Sequence, residues 1–420
     1  MVEFTIWAFG ATNMQSLECT CQKEAGLSSN SQLSSVPKIE ICSSKKKASN
    51  LLTATSKLET IFMLHRCFSI LTTAARHLKE LQKESHHRFC TPTTAPIMAD
   101  NNNKNDKTEK TTLLQLIAVN DSYPYNASSF DPLYRLYLPR DDRPHGYLLP
   151  EVVEKMPWTK DFKITHENPR RVDVLDSSDG KDTSAACNKA LAKVVTACQE
   201  KDLFNLKGEQ YEEFAIVGVQ YPVRLFRYAA SLFGIISQGA HLTAYIRTSS
   251  GLKIWVPRRS PTISTFPNKL DSTVAGGISA EDTPFETIIR EAEEEASLTE
   301  DLTRRDVLSA GVLTYITLLE QGQGEVGGLV KPDMVYVYDL ELSEDVIPKP
   351  HDGEVKEFYL MTPDEIKTAL LRKEFKTNSA AVMIDFFIRH GIITADNERD
   401  YTEMSMRLHR TLPFATAPRL

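Results

Sequence analysis

From Leu113 onward, apolar positions recur in short, well-bounded runs whose spacing predicts the elements. Leu113 to Val119 and Val152 to Met156 read as short helices, and Ala185 to Cys198 repeats apolar residues at helical spacing. Phe214 to Val219 is brief and continuously apolar, which predicts a buried strand. Ala240 to Ile246 and Leu252 to Val256 are β-branched or aromatic runs separated by the turn-rich Arg247 to Gly251, a hairpin signal. Thr283–Pro284–Phe285–Glu286 then forms a capping box with proline at the first helical position. Behind it Phe285, Ile288, Ile289, Ala292 and Ala296 fall on one stripe, so an amphipathic helix is expected from Thr283 to Leu298. Ser309 to Leu319, Met334 to Leu342 and Val355 to Leu360 read as strands, the first two joined by the loop Gln321 to Gly328. Thr362–Pro363–Asp364–Glu365 opens another helix, and Ala380 to His390 is the last. This order predicts an α+β fold, a mixed sheet flanked by helices.

Ahead of Leu113 the pattern disappears. The opening stretch is rich in Ser, Thr, Lys and Asn and ends in the polar tract Asp100 to Thr112. Such a segment buries too little apolar surface to offset its ordering entropy, so residues 1–111 are expected to be a disordered extension. Within it, Met63 to Ile97 holds Arg66, Arg76, His77, Lys79 and Arg88 with few acids, a composition that suits a targeting presequence. A cytoplasmic location is expected, with a mitochondrial one as the alternative if residues 63–97 act in that way. The remaining organisation is an accessory α+β domain over 112–235, a second domain over 236–400 and a tail over 401–420. Seven cysteines in 420 residues give no disulfide framework, and the Cys19–Cys21 pair lacks partners for a zinc site. No apolar run reaches membrane-spanning length, so no membrane partner is expected. The net charge of −7 with no basic stripe argues against nucleic acid. A homodimer is left open.

The chemistry concentrates between Gly276 and Leu298, GGISAEDTPFETIIREAEEEASL. Glu291, Glu294 and Glu295 stand at i, i+3 and i+4, on one face beside the apolar stripe. Like charges so placed repel, and a hard divalent cation such as Mg²⁺, which takes oxygen ligands, removes that penalty. Arg290 lies one turn before Glu294 and is placed to orient it. An acidic helix face alone is more often merely solvated, so the spacing of the whole stretch has to decide.

That spacing resembles the Nudix signature, with Gly276, Asp282, Arg290, Glu291, Ala292, Glu294, Glu295 and Leu298 in its places. Asp282 stands where the signature has glutamate, and Ser297 where it has glycine. The resemblance implies a Nudix α/β/α sandwich with a mixed β-sheet, preceded by the small α+β domain and the extension. It implies Glu291 and Glu295 as principal metal ligands, Glu294 as ligand or water-activating base, and a later glutamate, here Glu354, as a further ligand. The metal would be Mg²⁺, with Mn²⁺ the alternative. Beyond the signature, Gly239–Ala240–His241–Leu242, Trp255 to Ser260, Thr265 to Asp271 and Ala380 to Gly391 resemble thiamine-pyrophosphokinase-related Nudix hydrolases of fungi and plants. The implied reaction is hydrolysis of oxidised or damaged thiamine diphosphate to the monophosphate. Arg258 and Arg259 are candidates for phosphate contact as forked donors, against a surface role. His241 and Phe266 are candidates to border a heteroaromatic ring, and Gly276 and Gly277 to line the substrate. Two other readings stay open: a Nudix enzyme for oxidised nucleotides or nucleotide sugars, and a binding module of the same fold without turnover.

Overall fold

The computed structural model describes residues 2–8, 15–21, 111–206, 212–320 and 326–419. The chain divides into two compact units, residues 1–103 and 104–420. In the first, β1 (Val2–Ala8) and β2 (Gln15–Cys21) pair antiparallel, from Val2 opposite Cys21 to Ala8 opposite Gln15. The basic segment 63–97, like most of the expected extension, lies outside the described residues.

The second unit begins with helix α1 (Leu113–Asn120), closed by a complete capping box between Thr112 and Gln115. Next come β3 (Tyr134–Tyr137), β4 (Gly146–Leu148), helix α2 (Pro150–Lys155), β5 (Phe162–Thr165) and β6 (Arg171–Val174). The four strands form a small sheet in the order β4-β3-β6-β5, too short to announce itself as alternation in the sequence. Helix α3 (Thr183–Glu200) covers it, burying Cys187, Leu191, Val194 and Cys198 in a core shared with Leu136, Leu148 and Val172. Cys187 and Cys198 are free, and burial pushes both thiols up to about 11, which leaves them inert. The strand expected over Phe214 to Val219 is shorter. Only β7 (Glu213–Ala215) pairs, with β8 (Arg224–Phe226), and the chain turns at Gly218, whose φ of 85° suits glycine. A 3-10 turn, Arg227–Ala229, and helix α4 (Ala230–Phe233) finish this module at Gly234.

The main sheet is mixed and six-stranded, in the order β12-β13-β9-β10-β14 with β11 also on β9. Its strands are β9 (Ser237–Thr248), β10 (Gly251–Arg259), β11 (Val274–Gly277), β12 (Leu308–Leu318), β13 (Val330–Glu341) and β14 (Val355–Met361). The β9–β10 hairpin matches the expected one, extended at both outer ends. Helix α5 (Pro284–Ala296) and helix α6 (Glu300–Asp306) lie on one face. Helix α7 (Pro363–Leu371), helix α8 (Thr377–Arg389) and helix α9 (Tyr401–Leu408) pack with α1 on the other. Strand alternation sorts β9 between them. Ala240, Leu242 and Ala244 meet Ile288, Ala292 and Ala296 of α5, whereas Tyr245 meets Phe386 of α8, ring centroids 5.5 Å apart. Full burial of Ile288 alone contributes about 1.5–3 kcal/mol.

Two terminal segments take part in this core. Helix α1 packs on α8 and not on the small sheet that follows it in the chain, because Leu113, Leu116 and Ile117 complete the α8 cluster. The C-terminal segment is tied down as well. Met404 and Leu408 are buried, and Arg410 donates to Asp121 at 3.0 Å and to the Tyr123 and Pro124 carbonyls at 2.6 Å each. Among the described residues no helix is long and apolar enough to cross a membrane.

Candidate active site

The main sheet forks at its centre. β10 pairs β9 from Gly251–Thr248 to Ile254–Tyr245, and beyond that point β11 takes over, from Val274–Leu242 to Gly277–Gly239. Thr273 holds the fork: its Oγ1 accepts from the Ala244 N–H at 2.8 Å and donates to the Trp255 carbonyl at 2.6 Å. Helix α5 runs beneath.

The helix start is set by Thr283, whose side chain accepts from the Glu286 N–H at 3.2 Å, and by Pro284. The second half of the expected capping box does not form. Glu286 instead receives both Nη atoms of Arg304, at 2.9 and 2.7 Å, which fastens α6 to α5. At the other end Ser297 takes the left-handed cap with φ 54°, and its Oγ donates to the Lys349 carbonyl at 3.0 Å. That contact, with Lys349 N–H on the Ala296 carbonyl at 2.9 Å, docks the loop after β13 onto the helix end.

Three acids project from α5 toward β11 and its surroundings, in different environments. Glu295 is buried, and its Oε2 accepts from the Ala275 N–H at 2.9 Å. Burial holds its carboxyl well above the usual range, with that N–H and Lys376 opposing and Asp271 and Glu291 adding to the shift. Glu291 lies against Gly276, where a Cβ would come within 2.5 Å of Glu291 Cγ and Cδ, so only glycine admits the carboxylate here. Burial raises its carboxyl too; Arg290 opposes, and Glu294 and Glu354 add to the rise. Glu294 is exposed. Arg290 stands among the acids, 3.0 Å from Glu291, 3.0 Å from Glu294 and 3.6 Å from Asp282. Glu354 arrives from the start of β14, its carbonyl accepting from the Ser260 N–H at 2.7 Å.

Among the described residues, no three carboxylate, imidazole or thiol groups are gathered tightly enough to hold a metal ion as the side chains stand. The donor set nevertheless suits a hard divalent cation. All candidates are carboxylates, and two of them, buried Glu295 and half-buried Glu291, lie beside further negative charge.

The expected substrate-binding residues separate. Arg259 is buried and turned inward: its Nη1 donates to Asp271 at 2.8 Å, and its Nε and Nη2 to the Thr265 carbonyl, both at 3.2 Å. It therefore fixes the loop between β10 and β11. Arg258 is half-exposed, donating to Tyr359 Oη at 3.2 Å and to the Asn268 carbonyl at 2.9 Å. His241 is buried on the α8 face, with Nδ1 2.9 Å from Ser272 Oγ and Nε2 3.4 Å from Asn378. Burial drives its imidazole down to about 3, so the ring is neutral and packed. Phe266 is exposed at the loop tip with φ 51°, an unfavourable conformation for a bulky residue. Trp255 belongs to the α5-side core, and its buried Nε1 has no partner among the described residues.

Two residues at the fork escaped sequence reasoning. Lys376, at the N-cap of α8, reaches Asp271 at 3.3 Å and influences Glu295. Arg227, from the accessory module, lies over Gly277: a Cβ there would be 3.3 Å from its Nη1. Neither belongs to a local motif, and nothing in their spacing marks them.

A model of the NUDIX domain matches residues 240–386. This chain carries a Nudix domain. The matched span runs from within β9 through most of α8, and so takes in most of the fork and the acidic helix. An uncharacterized protein of Saccharomyces cerevisiae is 40% identical over 52% of this chain and 66% of its own length. Nudix hydrolase 20, chloroplastic, of Arabidopsis thaliana is 30% identical over 52% of this chain and 57% of its own. Nudix hydrolase 24, chloroplastic, of the same plant is 32% identical over 52% and 58%. The chain thus spans under two thirds of the length of these relatives. A crystal structure of a Deinococcus radiodurans protein aligns over 36% of this chain and 82% of its own, with 24% identity and a TM-score of 0.27.

Proposed function

We propose that the protein is a Mg²⁺-dependent diphosphatase that hydrolyses a small-molecule diphosphate, and that its substrate is an oxidised or damaged thiamine diphosphate, cleaved to the monophosphate. The observation that carries the hydrolase reading is the pairing of Glu291 with Gly276 and of Glu295 with the Ala275 N–H. Two carboxylates with raised protonation are thereby held against the edge of β11, where charge from outside the chain would relieve them.

Glu291 and Glu295, with Glu294 and Glu354, would hold the cation. Bound there, Mg²⁺ supplies the positive charge that a diphosphate and its departing phosphate require. The chain's own groups have separate duties. Arg290, shared by three acids, keeps Glu291 and Glu294 apart and aimed. Glu294, exposed to solvent, accepts the proton as water adds to phosphorus. The P–O–P bond breaks, one phosphorus gains the hydroxyl, and the bridging oxygen leaves with the other. Ala275 and Gly276 keep the strand narrow enough for the carboxylates to approach its edge.

The thiamine assignment rests on the segments whose resemblance extends past the Nudix motif, and these segments meet in space. Arg259 and Asp271 pair, Thr265 caps Arg259, and Ser272 joins His241. They shape the loop that carries Phe266 to the rim. The test is an assay of the full chain with Mg²⁺ on thiamine diphosphate, oxothiamine diphosphate, oxidised dGTP and ADP-ribose. Preference for oxothiamine diphosphate supports the full reading. Preference for a nucleotide keeps the diphosphatase and discards the thiamine link. No turnover of any of the four leaves the binding module.

A further inference from the structure

In an antiparallel strand, alternate residues direct their N–H and C=O groups to the same edge. Ile278 N–H donates to the Gln238 carbonyl on the β9 side at 3.1 Å, whereas Ala275 N–H meets Glu295 on the other side. Gly277, two residues from Ala275, therefore presents its N–H and C=O at the edge away from β9, beside Glu295. Consecutive side-chain directions also alternate across the strand. Glu291 occupies the space over Gly276 on one face, and Arg227 occupies the space over Gly277 on the other, with Nη1 at 3.3 Å and Cζ at 3.4 Å from a virtual Cβ. The free edge of β11 is thus bracketed by carboxylates on one side and a guanidinium on the other, with one Cα step of about 3.8 Å between the two glycines.

Arg227 is placed there by the accessory module. Its backbone N–H donates to the Glu212 carbonyl at 2.8 Å, and its Nη1 to Glu212 Oε2 at 2.5 Å. The guanidinium lies over the Phe214 ring, 5.5 Å from the centroid. The module grips the same loop nearby, through Ala280 N–H on the Glu213 carbonyl at 2.8 Å and an Arg224–Glu281 ion pair. The Arg227 side chain stays half-exposed, and its Nη2 has no hydrogen-bond partner among the described residues. A fixed, half-solvated guanidinium beside a strand edge is suited to a phosphate oxygen, for which its planar fork is matched.

We propose that Arg227 is a substrate-binding residue, by which the accessory module contacts the diphosphate of the substrate along the free edge of β11. This rests on the diphosphatase reading above and gives the accessory module a part in binding. The test uses the full chain with Mg²⁺ and whichever diphosphate of the panel it turns over. Arg227→Ala raises KM about tenfold with kcat within about twofold, as for one lost charge-assisted hydrogen bond. Arg227→Lys, which keeps the charge but not the fork, gives an intermediate KM and covers the case in which the alanine variant does not fold. Glu212→Gln separates binding from scaffolding. It breaks the ion pair but leaves the guanidinium, so KM stays level or falls. Equal rises in KM for Arg227→Ala and Glu212→Gln would make the pair purely structural and overturn the proposal. So would an unchanged KM in folded Arg227→Ala and Arg227→Lys proteins with an active wild type. A wild type inactive on every diphosphate overturns the diphosphatase reading itself, and this inference with it.

Discussion

Two clusters of charge adjoin the fork of the main sheet, and they are balanced differently. Around Asp271 one carboxylate is fully surrounded by cations and donors from the chain: Arg259 at 2.8 Å, Lys376 at 3.3 Å, the Ser272 N–H at 2.8 Å and the Ser379 hydroxyl all face it. Burial alone would raise this carboxyl, but Lys376 and Arg259, with the Ser379 hydroxyl, hold it down to about 2. Around Glu291 and Glu295 the sum is unbalanced. Arg290 is shared among Asp282, Glu291 and Glu294, and both Glu291 and Glu295 bind protons more readily than usual. A buried carboxylate ringed by the chain's own cations and donors holds a fold together, whereas a set left acidic is arranged for a cation from elsewhere. The two lie within electrostatic reach of each other, since Asp271 and Lys376 both act on Glu295.

Substitutions should separate the clusters by what they cost. Asp271→Ala strands Arg259 and Lys376 and is expected to destabilise by about 3–5 kcal/mol, the usual result of removing one partner of a buried pair. Urea unfolding measures it, and a loss under 1 kcal/mol would erase the contrast. Glu295→Gln removes a strained charge and keeps the shape. Turnover should fall by a factor on the order of 10² while the unfolding midpoint stays level or rises. A marked drop in that midpoint would instead make Glu295 a structural acid.

Acid should sharpen the comparison through His241. The imidazole titrates near 6.5 in the unfolded chain and at about 3 when buried. Between those values the unfolded state binds the extra proton, so stability falls as pH falls, by up to about 1.4 kcal/mol per pH unit. Glu295, raised in the fold, acts in the opposite sense. The difference between wild type and His241→Asn therefore isolates the ring. Between pH 7 and 5 the wild type should lose more stability than the variant, and parallel curves would refute the burial argument. The smallest effect is expected at Ser297, a left-handed position that strains any side chain by about 1–2 kcal/mol. Ser297→Gly relieves that strain but loses the Lys349 contact, for a net gain of about 0.5 kcal/mol in unfolding free energy.

Much of this architecture was open to a reader of the chain. The hairpin, the acidic helix with its proline start, and the last amphipathic helices were all visible, because their periods are local and their caps chemically specific. The small accessory sheet was not, since strands of three or four residues carry no measurable alternation. The strand expected at Phe214 to Val219 shortened because Gly218 needs a turn. At the site, Arg290 reaches both Glu291 and Glu294, and Gly276 lies against Glu291, while Arg259 and His241 are turned into the interior. Their residue types suited phosphate and ring contact, but only the position of Asp271 and Ser272 across the fork reveals where their hydrogen bonds go.

Local spacing along the chain thus determined which helix carries the acids, which of its faces is apolar and which glycine must precede it. Those properties follow from the 3.6-residue turn and need no neighbour. The folded chain decided which acid is buried, which arginine remains at the surface, and that a residue of the accessory module lies over Gly277. Burial and partnership are relations between segments far apart in sequence, 12 residues for Arg259 and Asp271 and 105 for Lys376 and Asp271, and no local period encodes them.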